Sequence, residues 1–286
     1  MARVLVTASL GNVGREVVRE CVASGFVVRV ADRDRAKAEQ RFPGMEATAL
    51  DFLNPSTWET ALEGCDFVFL LRPPPVGDMK TTLNPFIDAA WAAGVRHIVF
   101  LSVAGADTMK WVPHRKVELH LQASGNRWTV LRPGFFAQNL QDAYLRDIKE
   151  DGRIYVPAGK GRVAFIDVSD VAAVAAQVFL DPEHHQGQAL TLTGPLALTF
   201  DEVASTLEQA LHRPVKYEAA SVLGYARHLR TARGLPWMQI VIQTILHFGL
   251  RGGDAEKVEP TVEAMLGRPP RSMKEYVQRS VATWAG

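Results

Sequence analysis

Residues 4–15 read Val4-Leu5-Val6-Thr7-Ala8-Ser9-Leu10-Gly11-Asn12-Val13-Gly14-Arg15. The first four are residue types that favour a strand, and residues 13–24 have the apolar spacing of an amphipathic helix. A strand that leads through a turn into a helix leaves backbone N–H groups at the helix N-terminus, where the helix dipole favours an anion. Gly11 would allow close approach of a phosphate, and Gly14 would allow tight packing of helix on strand.

The same alternation of strand and helix continues through the first half of the chain. The predicted strands are Val4–Thr7, Val27–Ala31, Ala47–Leu50, Phe67–Leu71, His97–Ser102 and Thr129–Arg132. The predicted helices lie near 13–24, 34–41, 56–63, 81–93 and 114–124. Such alternation requires parallel strands joined by right-handed crossovers. The sequence therefore predicts an α/β fold with a doubly wound parallel sheet.

After Pro133 the pattern is less regular. Helices are expected at Phe136–Glu150 and Val168–Leu180, short strands at Arg153–Val156 and Val163–Asp167, and a strand at Leu190–Thr193 that returns to the sheet. From residue 199 the pattern is mainly helical, at about 200–212, 222–234, 237–250, 254–267 and 272–284, with one short strand at Val215–Glu218. We expect a nucleotide-binding domain in 1–135, with 166–195 returning to it, and a smaller, mainly helical, substrate-side domain in 136–165 and 196–286.

Composition excludes several classes of partner. The 286 residues are 47% hydrophobic and 22% charged, which is ordinary for a globular chain. With 32 Lys and Arg against 31 Asp and Glu, the net charge of +1 provides no field to attract nucleic acid or an anionic membrane. We expect neither as a partner.

The cysteines and the first residues indicate a cytoplasmic protein. Cys21 and Cys65 lie among apolar residues and are expected to be buried, reduced side chains. The chain begins with a strand-like run at Arg3–Ala8 and shows no cationic and then apolar leader of the secretory type.

One apolar stretch, Trp237–Leu250, needs a separate explanation. It is shorter than the ~20 residues of a membrane span, and it contains Gln239, Gln243 and His247. We expect a helix that is either part of the core or the interface of a homodimer.

Asp32 strengthens the interpretation of the first turn. It ends the second predicted strand, about 20 residues after the glycine turn, where an acidic side chain can bind the ribose hydroxyls of a dinucleotide. The turn, this aspartate and the strand pattern together favour dinucleotide binding over a purely structural turn.

These residues resemble the NmrA-like family of atypical short-chain dehydrogenases and reductases, whose first turn usually reads Thr-Gly-Ala-Thr-Gly-x-x-Gly. The resemblance extends over nearly the whole chain. Besides 7–14, the matching stretches are Asp51-Phe52, Ala61–Phe69, Ala92–Val99, Leu131–Phe136 with Asn139, and Phe165–Ala172. Ala8 departs from the family by replacing its first glycine, a change that costs little if the φ angle of Ala8 is negative.

The resemblance implies an NAD(P)(H) cofactor at the carboxyl ends of the strands. Asp51 and Phe52 would border the adenine, residues 70–72 the ribose path, Ser102 and Val103 the nicotinamide ribose, and 133–136 the nicotinamide. The expected cofactor-binding residues are Thr7, Ala8, Leu10, Gly11, Asn12, Val13, Asp32, Arg33, Asp51, Phe52, Leu71, Arg72, Ser102, Val103, His114, Pro133, Gly134, Phe135 and Phe136.

The choice between NAD and NADP stays open at this stage. In the family an arginine after the second strand often pairs with a 2′-phosphate, and Arg33 occupies that position, with Arg35 and Lys37 nearby. Asp32 has the opposite effect, because a carboxylate repels a phosphate.

The chain lacks the Tyr-x-x-x-Lys pair with which short-chain dehydrogenases transfer a proton. Alignment on 123–125 puts Lys110 at the tyrosine position and His114 at the lysine position. His114 is the candidate catalytic residue, either as a ligand of the nicotinamide ribose or as a proton donor with a pKa near neutrality. Glu118, one helical turn later, would orient it or form a surface ion pair. No histidine and carboxylate spacing suits a metal.

Three functions are considered for these residues. The first is an NAD(P)H-dependent oxidoreductase that reduces a small aromatic or quinone-like substrate, with Trp111, Phe136 and Asn139 as substrate contacts. The alternative is a redox sensor that binds NAD(P) without catalysis and reports to a protein partner. An epimerase acting on a nucleotide-linked sugar is a third, weaker hypothesis, because such enzymes generally keep the missing tyrosine and lysine.

Overall fold

The computed structural model describes residues 1–74, 76–109 and 111–285. The chain divides into two units. The first comprises Met1–Pro133, Val168–Leu192 and Thr261–Arg268, and the second comprises Gly134–Asp167, Thr193–Pro260 and Pro269–Gly286.

The strands and helices follow the predicted alternation closely in the first half. The strands are β1 (Arg3–Thr7), β2 (Val27–Asp32), β3 (Glu46–Ala49), β4 (Phe67–Leu71), β5 (His97–Leu101), β6 (Trp128–Pro133), β7 (Arg153–Val156), β8 (Arg162–Val163), β9 (Gln188–Leu192), β10 (Leu198–Thr199) and β11 (Lys216–Ala219). The helices are α1 (Asn12–Ala23), α2 (Arg35–Arg41), α3 (Trp58–Leu62), α4 (Leu83–Ala92), α5 (Pro113–Ala123), α6 (Leu145–Asp151), α7 (Val168–Leu180), α8 (Phe200–Leu211), α9 (Val222–Thr231), α10 (Trp237–Gly249), α11 (Thr261–Leu266) and α12 (Met273–Ser280).

The first unit is built on a seven-stranded parallel sheet in the order β3-β2-β1-β4-β5-β6-β9. The strand order reverses direction at β1, which is where an open α/β sheet forms its ligand crevice. Helix α1 packs against α7, and α4 packs against both α3 and α5. The predicted doubly wound parallel sheet is confirmed, including the return of a strand near 190 beside β6.

The segment 254–267 was predicted to be one helix of the substrate-side domain, and the structure differs from that prediction. Helix is confined to α11, and this helix groups with the first unit, whereas the sequence analysis assigned all of 196–286 to the other domain. The reason is local packing. Val262 of α11 is fully buried, α11 packs on α7, and the Arg268 guanidinium pairs with the buried Asp170 carboxylate at 2.8 Å.

The second unit combines short strands with helices. Strand β7 pairs in parallel with β11, and β8 pairs antiparallel with β10. The helix expected at 136–150 is interrupted: a 3-10 helix at Ala137–Leu140 precedes α6, and the strand expected at 163–167 is reduced to β8. The core of this unit contains Tyr144, Phe200, Tyr276 and Trp284, all almost completely buried.

The turn between β1 and α1 has an unusual backbone. Ala8 adopts a φ angle of +49°, in the left-handed region. The negative φ angle at which alanine would replace glycine with little loss of stability is therefore not the one found. The Ala8 carbonyl accepts a hydrogen bond from the Gly11 N–H at 3.0 Å. A Cβ atom on Gly14 would lie 2.3 Å from the same oxygen, so only glycine allows α1 to begin this close to the turn.

Replacing Ala8 with glycine should therefore stabilise the protein. An L-residue in left-handed backbone costs about 1–2 kcal/mol, and part of that gain is offset by the greater freedom of glycine in the unfolded chain. We expect Ala8→Gly to raise the free energy of unfolding by about 1 kcal/mol in urea denaturation. The control is Ala36→Gly, at an exposed site inside α2, which should lower it by about 0.5–1 kcal/mol. A loss of stability in Ala8→Gly would contradict the proposed strain.

Candidate functional site

A pocket lies at the carboxyl ends of β1 to β4 in the first unit. Its walls come from the turn after β1, the end of β2, the segment after β3 and the loop after β4. The lining residues are Ala8, Asp32, Arg33, Leu50, Asp51, Phe52, Leu53, Pro73 and Val76. The pocket therefore brings Ala8 of the first turn together with the residues expected to border an adenosine.

The N-terminus of α1 suits an anionic group. Gly11 is its exposed N-cap residue, with an extended backbone (φ −73°, ψ 167°) and no side chain capping the helix. The first turn of α1 contains no acidic residue. An added Cβ atom at Gly11 would meet the Ala8 oxygen at 3.3 Å, so a side chain fits there sterically but would project where a phosphate approaches.

Four other residues expected in the turn support its structure instead. The buried Thr7 hydroxyl accepts a hydrogen bond from the Leu71 N–H at 2.9 Å, which links β1 to β4. Val13 is buried against the core, and the Asn12 side-chain oxygen accepts a hydrogen bond from Arg15. The Leu10 N–H donates to the Asp32 carboxylate at 3.4 Å, which links the turn to β2.

The charges at the end of β2 are mostly neutralised. The Asp34 carboxylate pairs with Lys37 at 2.9 Å, and Arg35 pairs with Glu39 at 2.8 Å. Arg33 lines the pocket, is exposed, and has no anionic partner among the described residues. It is therefore the cation of this loop that is available to a ligand.

Asp51 and Phe52 form the wall opposite the turn. The Asp51 carboxylate accepts a hydrogen bond from the Leu53 N–H at 2.9 Å. Phe52 is 4% exposed and packs edge-on against Phe86, with ring centroids 5.1 Å apart. The wall therefore combines a carboxylate with an apolar ring, and an apolar lining suits a purine.

Arg72 holds the loop after β4 through hydrogen bonds to its backbone. Its Nη1 group donates to the carbonyl oxygens of Pro73, Pro74 and Val76 at 3.3, 3.1 and 2.7 Å. Its Nε–H group donates to His114 Nε2 at 3.4 Å. Burial lowers the pKa of Arg72. Because Pro73 and Val76 line the pocket, Arg72 holds one pocket wall in place and links it to α5.

His114 differs from the expected group with a pKa near neutrality. Burial, followed by the charge of Arg72, lowers the pKa of His114 to about 4, against a smaller opposing effect of Glu118. The imidazole is therefore neutral at pH 7. Since Arg72 donates to Nε2, the ring proton belongs on Nδ1. This state disfavours His114 as a proton donor.

Glu118 forms a buried network, and the expectation of a surface ion pair is wrong. Its carboxylate is fully buried and accepts hydrogen bonds from Ser102 Oγ at 2.5 Å and from Arg132 Nε and Nη2 at 3.0 and 2.7 Å. Arg132 also pairs with Asp107 at 2.9 Å, and its bonds to Glu118 raise the pKa of Arg132. The network joins α5 to the ends of β5 and β6.

Sequence reasoning missed this network, although one signal for it was present. Arg132 ends the predicted strand at 129–132, the strands of a parallel sheet are usually buried on both faces, and a buried guanidinium requires an anionic partner. The same network occupies the hydroxyl of Ser102, so this predicted cofactor residue has a structural role in the strand end. Val103, half-buried, follows it in the loop after β5.

The remaining predicted residues are divided between the units. In the first unit Pro133 is buried at the end of β6, and Trp111 is 70% exposed just before α5. In the second unit Gly134, Phe136 and Asn139 are half-buried, and the Phe135 ring lies edge-on to Phe165 and His247 at 5.7 and 5.6 Å. Lys110 lies outside the described residues.

Within 1–74, 76–109 and 111–285, no group of three or more His, Cys, Asp or Glu side chains is placed to hold a metal ion. None of the helices in the same ranges has both the length and the apolar character to cross a bilayer.

Comparison with known proteins agrees with this architecture. A model of the NmrA-like family matches residues 1–277. An NAD(P)H azoreductase of Xenophilus azovorans is 36% identical over 288 residues, covering 98% of this chain and 99% of the relative.

Two solved structures have the same fold. The NADPH-dependent quinone oxidoreductase of Escherichia coli, complexed with NADPH, aligns with a TM-score of 0.85 and 26% identity over 97% of this chain and 99% of that one. The triphenylmethane reductase of Citrobacter sp., complexed with NADP(H), aligns with a TM-score of 0.85 and 23% identity over the same shares of the two chains. From its sheet, its first turn and these matches, the chain belongs to the NmrA-like family.

Proposed function

We propose that this chain is an NAD(P)H-dependent oxidoreductase that reduces a small aromatic or quinone-like molecule without a tyrosine and lysine pair. The observation that carries the proposal is the pocket at the ends of β1 to β4, which opens beside the uncapped N-terminus of α1. The full-length similarity to an NAD(P)H azoreductase supports the same activity.

The described residues fit a dinucleotide. The apolar wall of Phe52, Leu53 and Val76 would hold the adenine, and Asp32 or Arg33 would face the adenosine ribose. Gly11 and the first turn of α1 would hold the diphosphate. When bound, the reduced nicotinamide supplies the hydride, and the strand ends carrying Ser102 and Pro133 provide a rigid edge for that half of the cofactor.

The class of hydride acceptor is inferred from two features of the chain, which are the missing tyrosine and the exposed Trp111 ring. No tyrosine occurs between residues 103 and 125, and His114 is neutral, so strong acid assistance from this segment is not expected. A quinone or azo compound accepts hydride at a conjugated system and can take its proton from water. Trp111 offers an exposed ring on which a flat acceptor can stack. Phe136 and Asn139 are the further proposed substrate contacts.

We also propose that the cofactor is NADP(H) rather than NAD(H). The Asp32 carboxylate accepts the Leu10 N–H, so it is engaged with the turn. Arg33 is exposed at the pocket, while Arg35 and Lys37 are paired with carboxylates. A 2′-phosphate would therefore meet Arg33, with its planar guanidinium suited to phosphate oxygens.

The redox sensor is the second candidate. Its supporting observation is the neutral, partly buried His114 in a segment without the usual tyrosine. A sensor can shift a partner equilibrium only by its difference in affinity for oxidised and reduced cofactor. Equal affinities for the two forms, together with measurable turnover, would exclude this candidate.

Turnover provides the direct test of the enzymatic function. Purified protein should oxidise NADPH in the presence of a quinone or an azo dye. The variant Gly11→Val should lose dinucleotide binding in calorimetry and lose turnover, because a branched side chain blocks the approach of the phosphate. Its circular dichroism should be unchanged, since Gly11 has an ordinary backbone conformation. If the wild type binds the cofactor but oxidises no NADPH with any of the quinones, dyes and carbonyl compounds, the proposal is contradicted.

Arg33→Met should reverse the cofactor preference. Loss of charge-assisted hydrogen bonds to a phosphate costs about 1.5–3 kcal/mol, so the Kd for NADPH should rise by roughly 10-fold to 100-fold, with little change for NADH. The matched control is Arg35→Met, since Arg35 is already paired with Glu39. Equal weakening of both cofactors by Arg33→Met would show that Arg33 does not read the 2′-phosphate.

His114 should make stability depend on pH with a defined sign. Its pKa in the folded chain is about 4, below the ordinary 6.5. The unfolded chain therefore binds the proton more tightly, and stability falls as the pH is lowered from about 6.5 to about 4. The variant His114→Gln should reduce this loss, as measured by urea denaturation at pH 7.0 and 4.5.

The same variant tests the chemical role of His114. An amide can still accept the Arg72 hydrogen bond, so His114→Gln should keep most of the turnover, while His114→Leu should weaken dinucleotide binding by releasing the loop that Arg72 holds. A kcat profile with an inflection near pH 6.5 that disappears in His114→Gln would instead establish His114 as the proton donor.

A further inference from the structure

Helix α10 turns a partly polar side inward and most of its apolar residues outward. Ile240, Thr244 and His247 are buried, and their side of the helix also carries the half-buried Gln243. The opposite half carries the exposed side chains of Met238, Ile242, Ile245 and Leu246, which are 48–69% exposed. A surface helix normally has the reverse arrangement. The sequence alternative in which 237–250 is simply core is therefore wrong.

The inward polar side is firmly held within the second unit. His247 Nδ1 donates to the Gln243 carbonyl at 2.6 Å, and Nε2 accepts a hydrogen bond from the buried Tyr144 hydroxyl. The Tyr225 ring of α9 lies 5.3 Å from the His247 ring. These contacts fix the rotation of α10 about its axis, so the outward direction of its apolar residues is a specified feature of the fold.

Helix α9 extends the same surface. Because Tyr225 near its start lies beside His247 near the end of α10, the two helices run in opposite directions, and the start of α9 adds exposed apolar side chains next to the end of α10. We call the combined surface the α9–α10 face. It consists of Val222, Leu223, Trp237, Met238, Ile242, Ile245, Leu246 and Phe248, which are 41–83% exposed.

The size of the face is that of a protein interface. Aromatic side chains carry about 150–250 Å² each and aliphatic ones less, so these eight partly exposed residues, two of them aromatic, present at most on the order of 800 Å². The largest apolar patch on a typical monomer is about 300–600 Å². Each partner in a standard protein–protein interface buries about 800 Å².

The chemistry of the face selects one partner. Helix α10, which contributes six of the eight residues of the face, contains no Lys, Arg, Asp or Glu, whereas α9 also carries the exposed Arg227 and Arg230. A helix that lies on a membrane usually carries Lys or Arg on its polar side, and here that side is buried against the protein. A charged protein partner would find no opposite charge on α10. A surface of matching size, with the same uncharged helix α10, is present on every other copy of the same chain.

We propose that the α9–α10 face is the interface of a homodimer, in which α9 and α10 of one chain pack on the same helices of a second copy about a two-fold axis. Such an interface is isologous, so side chains near the axis meet their own counterparts. Exposed apolar surface is thereby removed from water on both copies. The inference goes beyond the proposed catalytic function, and its test does not require turnover.

Sedimentation equilibrium measures the assembly directly. At micromolar concentration the wild type should have twice the 31.5 kDa mass of the chain. Ile245→Glu should be a folded monomer, because two carboxylates would meet in an apolar interface. The matched control is Leu180→Glu, on α7, since Leu180 and Ile245 are similarly exposed at 55% and 57%; it should remain a dimer.

Disulfide cross-linking of single introduced cysteines tests where the two-fold axis lies, without placing a charge in the interface. Ile242→Cys or Ile245→Cys should form a disulfide between two copies under mild oxidation, while Leu180→Cys should not. The two natural cysteines are buried and should not compete. A wild type that stays monomeric at about 100 μM, where a standard-size interface should associate, would overturn the proposal. So would a monomer that binds neutral phospholipid vesicles through this face, or a dimer that cross-links only in the Leu180→Cys variant.

Discussion

The Ala8 carbonyl is the point on which the first unit depends. It accepts the Gly11 N–H, and the absent side chain of Gly14 allows α1 to pass beside it. To place that oxygen, the backbone at Ala8 turns into the left-handed region, where alanine is strained. The position of the helix N-terminus, and hence of any phosphate held there, follows from this single contact. The strain is tolerated because β1 and α1 are both fixed by burial, with Leu5 and Val17 completely covered.

The sheet could be predicted from the sequence because its signal is local. Short β-branched runs separated by amphipathic helices allow few topologies once crossovers must be right-handed. The φ angle of Ala8 could not be predicted, because it depends on how closely α1 approaches and not on the residue itself. The role of Arg268 and the placement of α11 were also out of reach, since the partner Asp170 is 98 positions away along the chain.

The site was predictable in position but less so in role. The residues of the pocket lie at strand ends, and that follows from topology alone. What each side chain does depends on distant neighbours. Arg72 and Ser102 were expected to approach a cofactor, but the guanidinium clamps a loop and the hydroxyl binds Glu118. Buried charges of this kind need partners, and pairing of the interior groups leaves Arg33 as the exposed cation at the pocket.

The chain passes between its two units five times, at 133/134, 167/168, 192/193, 260/261 and 268/269. Neither unit is therefore a continuous piece of polypeptide. A fragment ending at Pro133 would lack β9 and α7, exposing one edge of β6 and the surface of α1. Expression of either unit by itself would require joining stretches that are separated along the sequence.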